Sequence, residues 1–538
     1  MVYLPPPHLA SASRPSYAES YANILAAHRR SPLTSASSVI MLVAPDVDAL
    51  CAAHMLADLL KQDDVMHRLI PVSGHAELER MRDELATYAD SHGMQLHTLI
   101  LINMGAILDL PSPEWFGDFT QHLTVHVIDS SRPQNLSSLF GAGEAGERIV
   151  IWDDGGAELM EEERKAWEVL TYEPEPDSDE DSDLESDADE EAQEEDYEEG
   201  SSTGKRRSIG SGQGTPKKRR KVDRTERASR EERDRYAARL EKHYMSGTWH
   251  GQSASGTIYV LATVLERVDN DLLWLAILGL TFQYTTSRIS RTEYDKFHSI
   301  YHDEVARLNP APPSTDSTYD FKSQHPDDRS VYAVDELRFM MFRHWNLYDA
   351  MYHSGYVASK LGIWKEKGRK RLTGLLAKMG FSVLETQQPY PHMAKDLKLN
   401  LRNKLDQIAP EYGLVELSYP SFTRCYGYLT QPLSACDAVE AVSALLDVAG
   451  GIRMEVEVEG ARNGGEWFGG GMVWDAGGRE GTRRDDDKEN AVLLFGGVGG
   501  MVGNGKGKAE NGEEEEEDSG ELQWWVRNFW TAFDALNE

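Results

Sequence analysis

Cysteine is scarce in this sequence of 538 residues, and long apolar runs are absent. The three cysteines, Cys51, Cys425 and Cys436, show neither a pairing pattern nor metal-ligand spacing, which excludes a disulfide-built domain and a structural zinc site. No stretch reaches about 18 apolar residues without a charge, and residues 1–7 do not resemble a signal peptide. We therefore expect a soluble protein of a reducing compartment, with no membrane partner.

A phosphate-binding loop is missing as well. The pattern Gly-x-x-x-x-Gly-Lys-Ser/Thr does not occur, and the Gly-rich stretches near Gly469 and Gly496 lack its Lys-Ser/Thr pair. We expect neither a nucleotide nor another cofactor. Apolar surface is plentiful, since 40% of the residues are hydrophobic and 12 are tryptophan. This length and composition predict about two or three domains with cores of their own.

Negative charge is plentiful but unevenly spread. The formal net charge is −34, and the 27 residues from Glu173 to Glu199 hold 17 acidic residues and no basic one. Together with the Gly- and Ser-rich residues 200–214 they lack an apolar face, so we predict a disordered loop over residues 171–222. An acidic histone chaperone is a function that this tract alone would suggest.

A basic cluster lies at the end of that loop. It follows Pro216 and matches nuclear import signals of the one-cluster type, with the residues Lys217, Lys218, Arg219, Arg220 and Lys221. An import receptor reads such residues when they are extended and exposed, so we predict a nuclear protein that binds this receptor. The alternative is a basic patch that only balances the acidic block.

Residues 17–170 show the alternation that is typical of an α/β domain. Five apolar runs predict strands, and two stretches near them have helical spacing. The runs cover residues 39–43, 67–72, 98–102, 123–128 and 148–152, and the helical stretches cover residues 49–60 and 77–88. Alternation of this kind predicts a mostly parallel sheet. We expect residues 1–16 to be disordered.

The rest of the chain divides into a helical region and a second loop. Three stretches with helical spacing predict a predominantly helical domain over residues 223–450. They cover residues 224–244, 257–280 and 334–352. Residues 451–521 are rich in glycine and acidic residues, which predicts a second disordered loop. Residues 522–538 are aromatic, and we expect them to begin a further folded region.

Three of the predicted strands end in polar turns. The turns contain Asp46 with Asp48, then Asn103, then Asp129 with Ser130 and Ser131. Because the carboxyl ends of strands in such sheets open onto the ligand crevice, carboxylates here could hold a divalent cation. The set is short of ligands, since the amide is neutral and serine is a weaker transition-metal ligand than imidazole. The alternative is capping and turn chemistry by the three aspartates.

The same residues carry a family resemblance. Segments 43–52, 101–105 and 128–133 resemble blocks of the cell division cycle protein 45 family, which is similar to bacterial single-strand exonucleases with an Asp-His-His motif. Further blocks follow in the same order at residues 270–281, 336–351, 361–381 and 410–428. On this collinear series, from about Tyr17 to Asp447, the chain is identified as a member of the family.

The resemblance implies an α/β, Asp-His-His-phosphoesterase-like parallel-sheet domain, then a predominantly helical domain, then a C-terminal lobe that we expect to be truncated here. Active relatives have metal-binding residues at the positions of the three turns. Asp46, Asp48 and Asp129 match them, while Asn103 replaces an aspartate and Ser130 and Ser131 replace two histidines. We therefore expect a vestigial site with no metal and no catalysis. The alternative is a metal-dependent single-strand exonuclease.

The resemblance also implies a role in DNA replication initiation and fork unwinding. In that role the protein is a non-catalytic scaffold subunit of the replicative helicase. It joins the minichromosome maintenance hexamer to the GINS complex, and ATP hydrolysis belongs to the hexamer. Single-stranded DNA and DNA polymerase are further expected partners.

The helical region holds one more candidate contact site. Beside Trp364, five of the seven residues 365–371 are basic, namely Lys365, Lys367, Arg369, Lys370 and Arg371. Such a cluster could follow a phosphate backbone, and a protein partner with an acidic face is the competing use. We expect His344 to be a packed or interface residue, because no acidic residue or cysteine lies three or four positions from it.

Overall fold

The computed structural model describes a chain of two compact units. Its described residues are 3–10, 15–30, 39–92, 96–119, 123–173, 230–310, 326–339, 341–427, 432–447, 453–454, 474–475 and 524–537. The first unit comprises residues 1–44 and 55–311, and the second comprises residues 45–54 and 312–538.

A six-stranded parallel sheet forms the centre of the first unit. Its order is β1-β7-β5-β4-β2-β3. The strands are β1 (Tyr3–Leu4), β2 (Val39–Val43), β3 (His67–Pro71), β4 (Thr98–Ile102), β5 (Thr124–Ile128) and β7 (Ile149–Trp152). The central strands consist of apolar, largely β-branched residues that are buried, as expected for strands covered on both faces. Strands β2, β4 and β5 end level, because Val43, Ile102 and Ile128 are paired in register.

Helices connect and cover these strands. They are α1 (Tyr17–Arg30), α2 (Val47–Gln62), α3 (His75–His92), α4 (Leu136–Phe140), α5 (Glu144–Arg148), α6 (Glu161–Tyr172), α7 (Arg230–Met245), α8 (Ala254–Val264), α9 (Asn270–Thr285) and α10 (Arg291–Leu308). The first residues of α2 are grouped with the second unit. Side-chain caps begin the last three helices: Ser253, Asp269 and Ser290 each accept a hydrogen bond from a backbone N–H of the first turn.

The second unit combines helices with an antiparallel sheet. The sheet has the order β11-β10-β9, with β9 (Val331–Leu337), β10 (Ser418–Arg424) and β11 (Leu433–Ser434). The helices are α11 (Leu347–His353), α12 (Gly355–Leu361), α13 (Glu366–Lys378), α14 (Val383–Thr386), α15 (Lys395–Ile408), α16 (Ala435–Asp447) and α17 (Trp524–Ala535). Their core includes Phe339, Leu372 and Leu405, all fully buried.

Short elements complete the description. In the first unit β6 (Ser131–Arg132) pairs antiparallel with β8 (Trp249–His250). In the second unit β12 (Arg453–Met454) pairs antiparallel with β13 (Trp474–Asp475). Single 3-10 turns lie at Pro7–Leu9, Gly156–Leu159, Tyr390–His392 and Ala409–Tyr412.

The prediction of a mixed α/β fold with a parallel sheet is confirmed, but three details were wrong. Residues 1–16 are not all disordered, because Tyr3–Leu4 form a buried strand of the sheet. The helix predicted over residues 334–352 is a strand, a turn and one short helix, since pairing with β10 overrides the helical apolar spacing. The region 223–450 is not one helical domain: it contains the antiparallel sheet, and the boundary between units falls at residue 311.

Both predicted disordered loops lie almost wholly outside the described residues. The same is true of the predicted import signal at residues 217–221 and of the acidic tract from Pro174 onward. The predictions for these segments therefore stay predictions.

Candidate functional site

The turns after β4 and β5 lie together at the carboxyl edge of the parallel sheet. Asn103 follows β4 in a left-handed conformation, with a φ of 52°, and its backbone N–H donates to the carbonyl of Ile128 at 2.8 Å. The side-chain oxygen of Asn103 accepts hydrogen bonds from the backbone N–H and the hydroxyl of Ser130, both at 3.3 Å. The amide of Asn103 therefore links the turn after β4 to the turn after β5.

Both carboxylate oxygens of Asp129 accept hydrogen bonds from backbone N–H groups. Its Oδ1 accepts from the N–H of Ser131 at 2.8 Å, and its Oδ2 accepts from the N–H of Ala106 at 3.1 Å. The residue is only 7% exposed. These bonds hold the two turns against each other, which is the chemistry of an Asx turn extended to a neighbouring loop.

Asp46 and Asp48 begin helix α2 and belong to the second unit. The Oδ1 of Asp46 accepts a hydrogen bond from the N–H of Ala49 at 2.7 Å, which is the geometry of a helix cap. Asp48 lies in the first turn and is fully buried. A carboxylate there is stabilised by the positive end of the helix dipole. Burial raises the pKa of the Cys51 thiol well above its ordinary value, and the negative charge of Asp48 raises it further.

An ion pair that the sequence did not suggest lies next to the Asp129 turn. The Nη2 atom of Arg132 is 3.0 Å from the Oδ2 of Asp154. The Nη1 atom of Arg132 donates to the carbonyls of Asp129 and Ser131, both at 2.9 Å. Asp154 also accepts from the N–H of Gln252 at 3.0 Å. These contacts join the sheet edge to the loop after β8.

Asp153 lies beside this pair and carries a perturbed carboxyl group. Its Oδ2 accepts from the N–H groups of Gly155 and Ala157 at 2.8 and 3.0 Å, and its carbonyl accepts from the hydroxyl of Tyr17. Burial, and then the neighbouring Asp154, raise the pKa of Asp153 from 3.8 to about 6. The signal for both aspartates was present in the sequence, because they directly follow the apolar run 148–152 at the same edge of the sheet.

Among the residues that the structure describes, no group of three or more histidine, cysteine, aspartate or glutamate side chains is arranged to hold an ion. The same residues include no helix long and apolar enough to cross a bilayer.

The basic cluster of residues 365–371 surrounds the start of α13, and most of its charges are engaged. Arg369 donates to the carbonyl of Ile363 at 3.3 Å, and Arg371 donates to the carbonyl of Tyr412 at 3.0 Å. Lys370 is 2.9 Å from Glu366. Within the described ranges only two of the five, Lys365 and Lys367, have no side-chain partner, and both are exposed.

Trp364 precedes this cluster and is 64% exposed. Within the described residues, the two lysines and this indole make the part of the candidate contact site whose polar groups have no partner. The other three basic residues form hydrogen bonds or an ion pair, although Arg369 and Lys370 are also exposed.

His344 contacts a buried ionic group of the second unit. Its Nε2 is 3.8 Å from Asp437, which is 1% exposed and accepts from the N–H of Met341 at 2.6 Å. Arg343 lies 3.0 Å from Glu336 and 3.4 Å from Asp437. This network holds the turn between β9 and α11 against the start of α16. Sequence spacing could not reveal it because Asp437 lies 96 and 94 positions after Met341 and Arg343.

Comparisons with known proteins agree on one family. The CDC45 family model matches residues 39–538. The chain is 38% identical over 439 residues to the cell division control protein 45 homolog of Schizosaccharomyces pombe, which covers 81% of this chain and 66% of that protein. It is 35% identical over 543 residues to Protein TSD2 of Mycosarcoma maydis, covering 84% of this chain and 63% of that protein.

A solved structure is similar in fold. The crystal structure of CDC45 from Entamoeba histolytica matches with a TM-score of 0.53 and 17% identity over 96% of this chain and 71% of that chain. The chain spans slightly less than two thirds of the length of the curated relatives it matches. Since the family model covers far more than half of the sequence, the chain belongs to the CDC45 family.

Proposed function

We propose that this chain is a nuclear DNA replication initiation factor that acts in fork unwinding as a non-catalytic scaffold. The observation that carries the proposal is the family match over residues 39–538, with a relative named cell division control protein 45. The partners proposed are the minichromosome maintenance hexamer, the GINS complex and DNA polymerase. A nuclear import receptor is proposed to bind residues 217–221.

The proposal includes a first unit derived from an Asp-His-His phosphoesterase that has lost its chemistry. Support comes from the sheet edge, where both oxygens of Asp129 accept backbone hydrogen bonds. Asn103 offers a neutral amide, and Ser130 and Ser131 stand where imidazoles would be needed for a two-metal hydrolase. No observation favours the exonuclease alternative.

Single-stranded DNA is the proposed ligand of the lysine pair beside Trp364. Lys365 and Lys367 are exposed and have no partner in the described part of the second unit, so they can neutralise phosphates. The 64% exposed indole offers a face on which a base can stack.

Two assays on one preparation of the full chain distinguish the scaffold function from the exonuclease function. It is incubated with reconstituted minichromosome maintenance hexamer and GINS for pull-down, and with single-stranded DNA and Mn²⁺ for digestion. We expect three-way assembly without digestion, and an Asp46→Ala, Asp129→Asn variant that still assembles. Digestion that this variant abolishes would restore the enzyme and refute the scaffold.

The DNA contact is tested separately, with matched charge loss. Lys365→Ala with Lys367→Ala should weaken binding of an oligodeoxythymidine and make the negative slope of log K against log salt shallower by about 1.4, two contacts at about 0.7 each for single strands. The control replaces two exposed lysines of the first unit, Lys61→Ala with Lys296→Ala. Equal effects of the two double variants would mean that only net charge matters.

A further inference from the structure

Four aromatic side chains form a connected surface at helix α11, here called the aromatic face: Trp345, Tyr348, Tyr352 and His353. Tyr348 and Tyr352 are stacked, with ring centroids 6.0 Å apart and 20° between their planes. His353 meets Tyr352 edge-on at 5.0 Å and Trp345 at 6.3 Å. The four rings therefore form one connected series.

The polar edges of the aromatic face are not used by the protein. Within the described residues, neither tyrosine hydroxyl, nor the indole N–H of Trp345, nor a ring nitrogen of His353 makes a hydrogen bond. Trp345 is 50% exposed, and the two tyrosines are partly exposed. Rings that are packed on one side and carry free polar tips on the other are typical of recognition surfaces.

The charges around this surface argue against a phosphate-bearing ligand. Helix α11, Leu347–His353, carries Asp349 and no lysine or arginine. The nearby guanidinium of Arg343 is engaged by Glu336 and Asp437. A nucleic-acid strand needs cations for its phosphates, whereas a neutral peptide does not.

A proline of the chain pairs with the backbone next to the start of the aromatic face. Pro389 has φ −52° and ψ 133°, close to polyproline II geometry, and it forms an isolated antiparallel bridge with Asn346. The N–H of the next residue, Tyr390, donates to the carbonyl of Trp345 at 2.9 Å. A proline in this conformation is therefore accommodated by the backbone at Trp345 and Asn346.

From these observations we propose that the aromatic face docks a proline-rich segment of a partner protein in the polyproline II conformation. Proline rings pack between the aromatic rings, and the free N–H and O–H groups donate to the carbonyls that such a helix leaves unpaired. The surface is independent of the sheet edge and of the lysine pair beside Trp364. It adds a peptide-binding function to the scaffold and does not depend on the proposed replication role.

The test is a fluorescence anisotropy titration of fluorescein-labelled deca-proline with the full chain. Trp345→Ala should weaken binding about tenfold or more, as expected for loss of an aromatic anchor. Tyr348→Phe with Tyr352→Phe keeps both rings and removes the hydroxyls, and it should weaken binding about three- to tenfold. Trp364→Ala is the matched control, because it removes an indole that is 64% exposed and lies outside the aromatic face.

Each outcome decides the proposal. Saturable binding that depends on Trp345 and the tyrosine hydroxyls, and not on Trp364, supports it. Absence of saturation at millimolar peptide overturns it, as does an equal loss in the Trp364 control. A deoxythymidine decamer that binds with the same dependence on Trp345 would make the occupant a nucleic acid and would also overturn it. The phenylalanine double variant guards against misfolding, since it leaves the ring packing intact.

Discussion

Replacing Arg132 by methionine removes the cation that holds the carboxyl edge of the sheet to the loop after β8. The side chains of Arg132 and Asp154 are 4% and 17% exposed, so water cannot fully take over their contacts. The variant leaves the Asp154 carboxylate buried without its cation. It also leaves the carbonyls of Asp129 and Ser131 without the donors that now lie 2.9 Å away.

The expected destabilisation is about 3–5 kcal/mol, the usual cost of breaking a buried ion pair by removing one partner. That is a large share of a typical unfolding free energy of about 5–15 kcal/mol. Asp154→Asn keeps an acceptor for the N–H of Gln252 but leaves Arg132 unpaired. The double variant lacks both members of the pair and leaves neither one unpaired, so the two effects should overlap by about 1–3 kcal/mol.

The pH dependence has a definite sign. Burial alone would raise the pKa of Asp154, but Arg132 and the Gln252 N–H offset it and hold the pKa below 3.8. This carboxylate therefore stabilises the wild type above that pH, and the contribution is lost only as the pH falls through the depressed pKa. Without Arg132, burial raises the pKa, so the penalty is present at neutral pH and is relieved on acidification. The difference in stability between wild type and Arg132→Met should therefore shrink as the pH is lowered from neutral into the acidic range.

Hydrogen exchange with mass spectrometry is the suitable assay, because it reads the opening of single elements in a chain of two units. Peptides covering β6 and β8 should exchange faster in Arg132→Met, while β9 and β10 of the second unit serve as the internal control. A loss under about 1 kcal/mol, or single effects that add within about 0.5 kcal/mol, would refute the claim that this pair joins the two segments.

Three further changes have defined outcomes. Because the pKa of Asp153 is raised to about 6, the free energy of unfolding of the wild type should fall as the pH rises from about 4 to about 6. In Asp153→Asn this pH-dependent loss, up to about 3 kcal/mol, should disappear, as measured by urea titrations at several pH values. His54→Ala removes a 5.1 Å ring contact with Phe533 and should speed hydrogen exchange in α17 by an amount worth about 1 kcal/mol; unchanged exchange would deny this contact a role. Asp437→Ala removes the acceptor of the Met341 N–H and should cost about 3 kcal/mol in thermal unfolding, and a loss below about 1 kcal/mol would contradict the buried network.

Much of the parallel sheet was predictable because its signals are local. Each of the five predicted apolar runs contains an observed strand, since a strand covered on both faces needs a continuous run of apolar residues. Strand β1 was missed because two residues, Tyr3–Leu4, carry no periodicity, and only the neighbouring β7 makes them a strand. Strand β9 was mistaken for a helix because its partner β10 lies about 80 residues later, beyond the reach of any local pattern.

The candidate sites divide in the same way. The sequence placed Asp129 and Asn103 at strand ends, and these turns do lie together at the sheet edge. It did not suggest the pairing of Arg132 with Asp154, which depends on how β6 meets the loop after β8. For residues 365–371 it supplied five positive charges, but not which of them form hydrogen bonds or ion pairs in the folded chain.

By itself, the sequence determined the fold class, the positions of the central strands and the family, because apolar runs and ordered blocks of residues are properties of the chain read in order. Tertiary structure alone decided which polar groups form bonds within the folded chain and which remain exposed for partners. Asp129 and Arg371 bond to groups that only folding brings near, whereas Lys365 and the aromatic face keep polar groups exposed to solvent. The physical reason is that hydrogen bonds and ion pairs act over a few ångströms in space, without regard to separation along the chain.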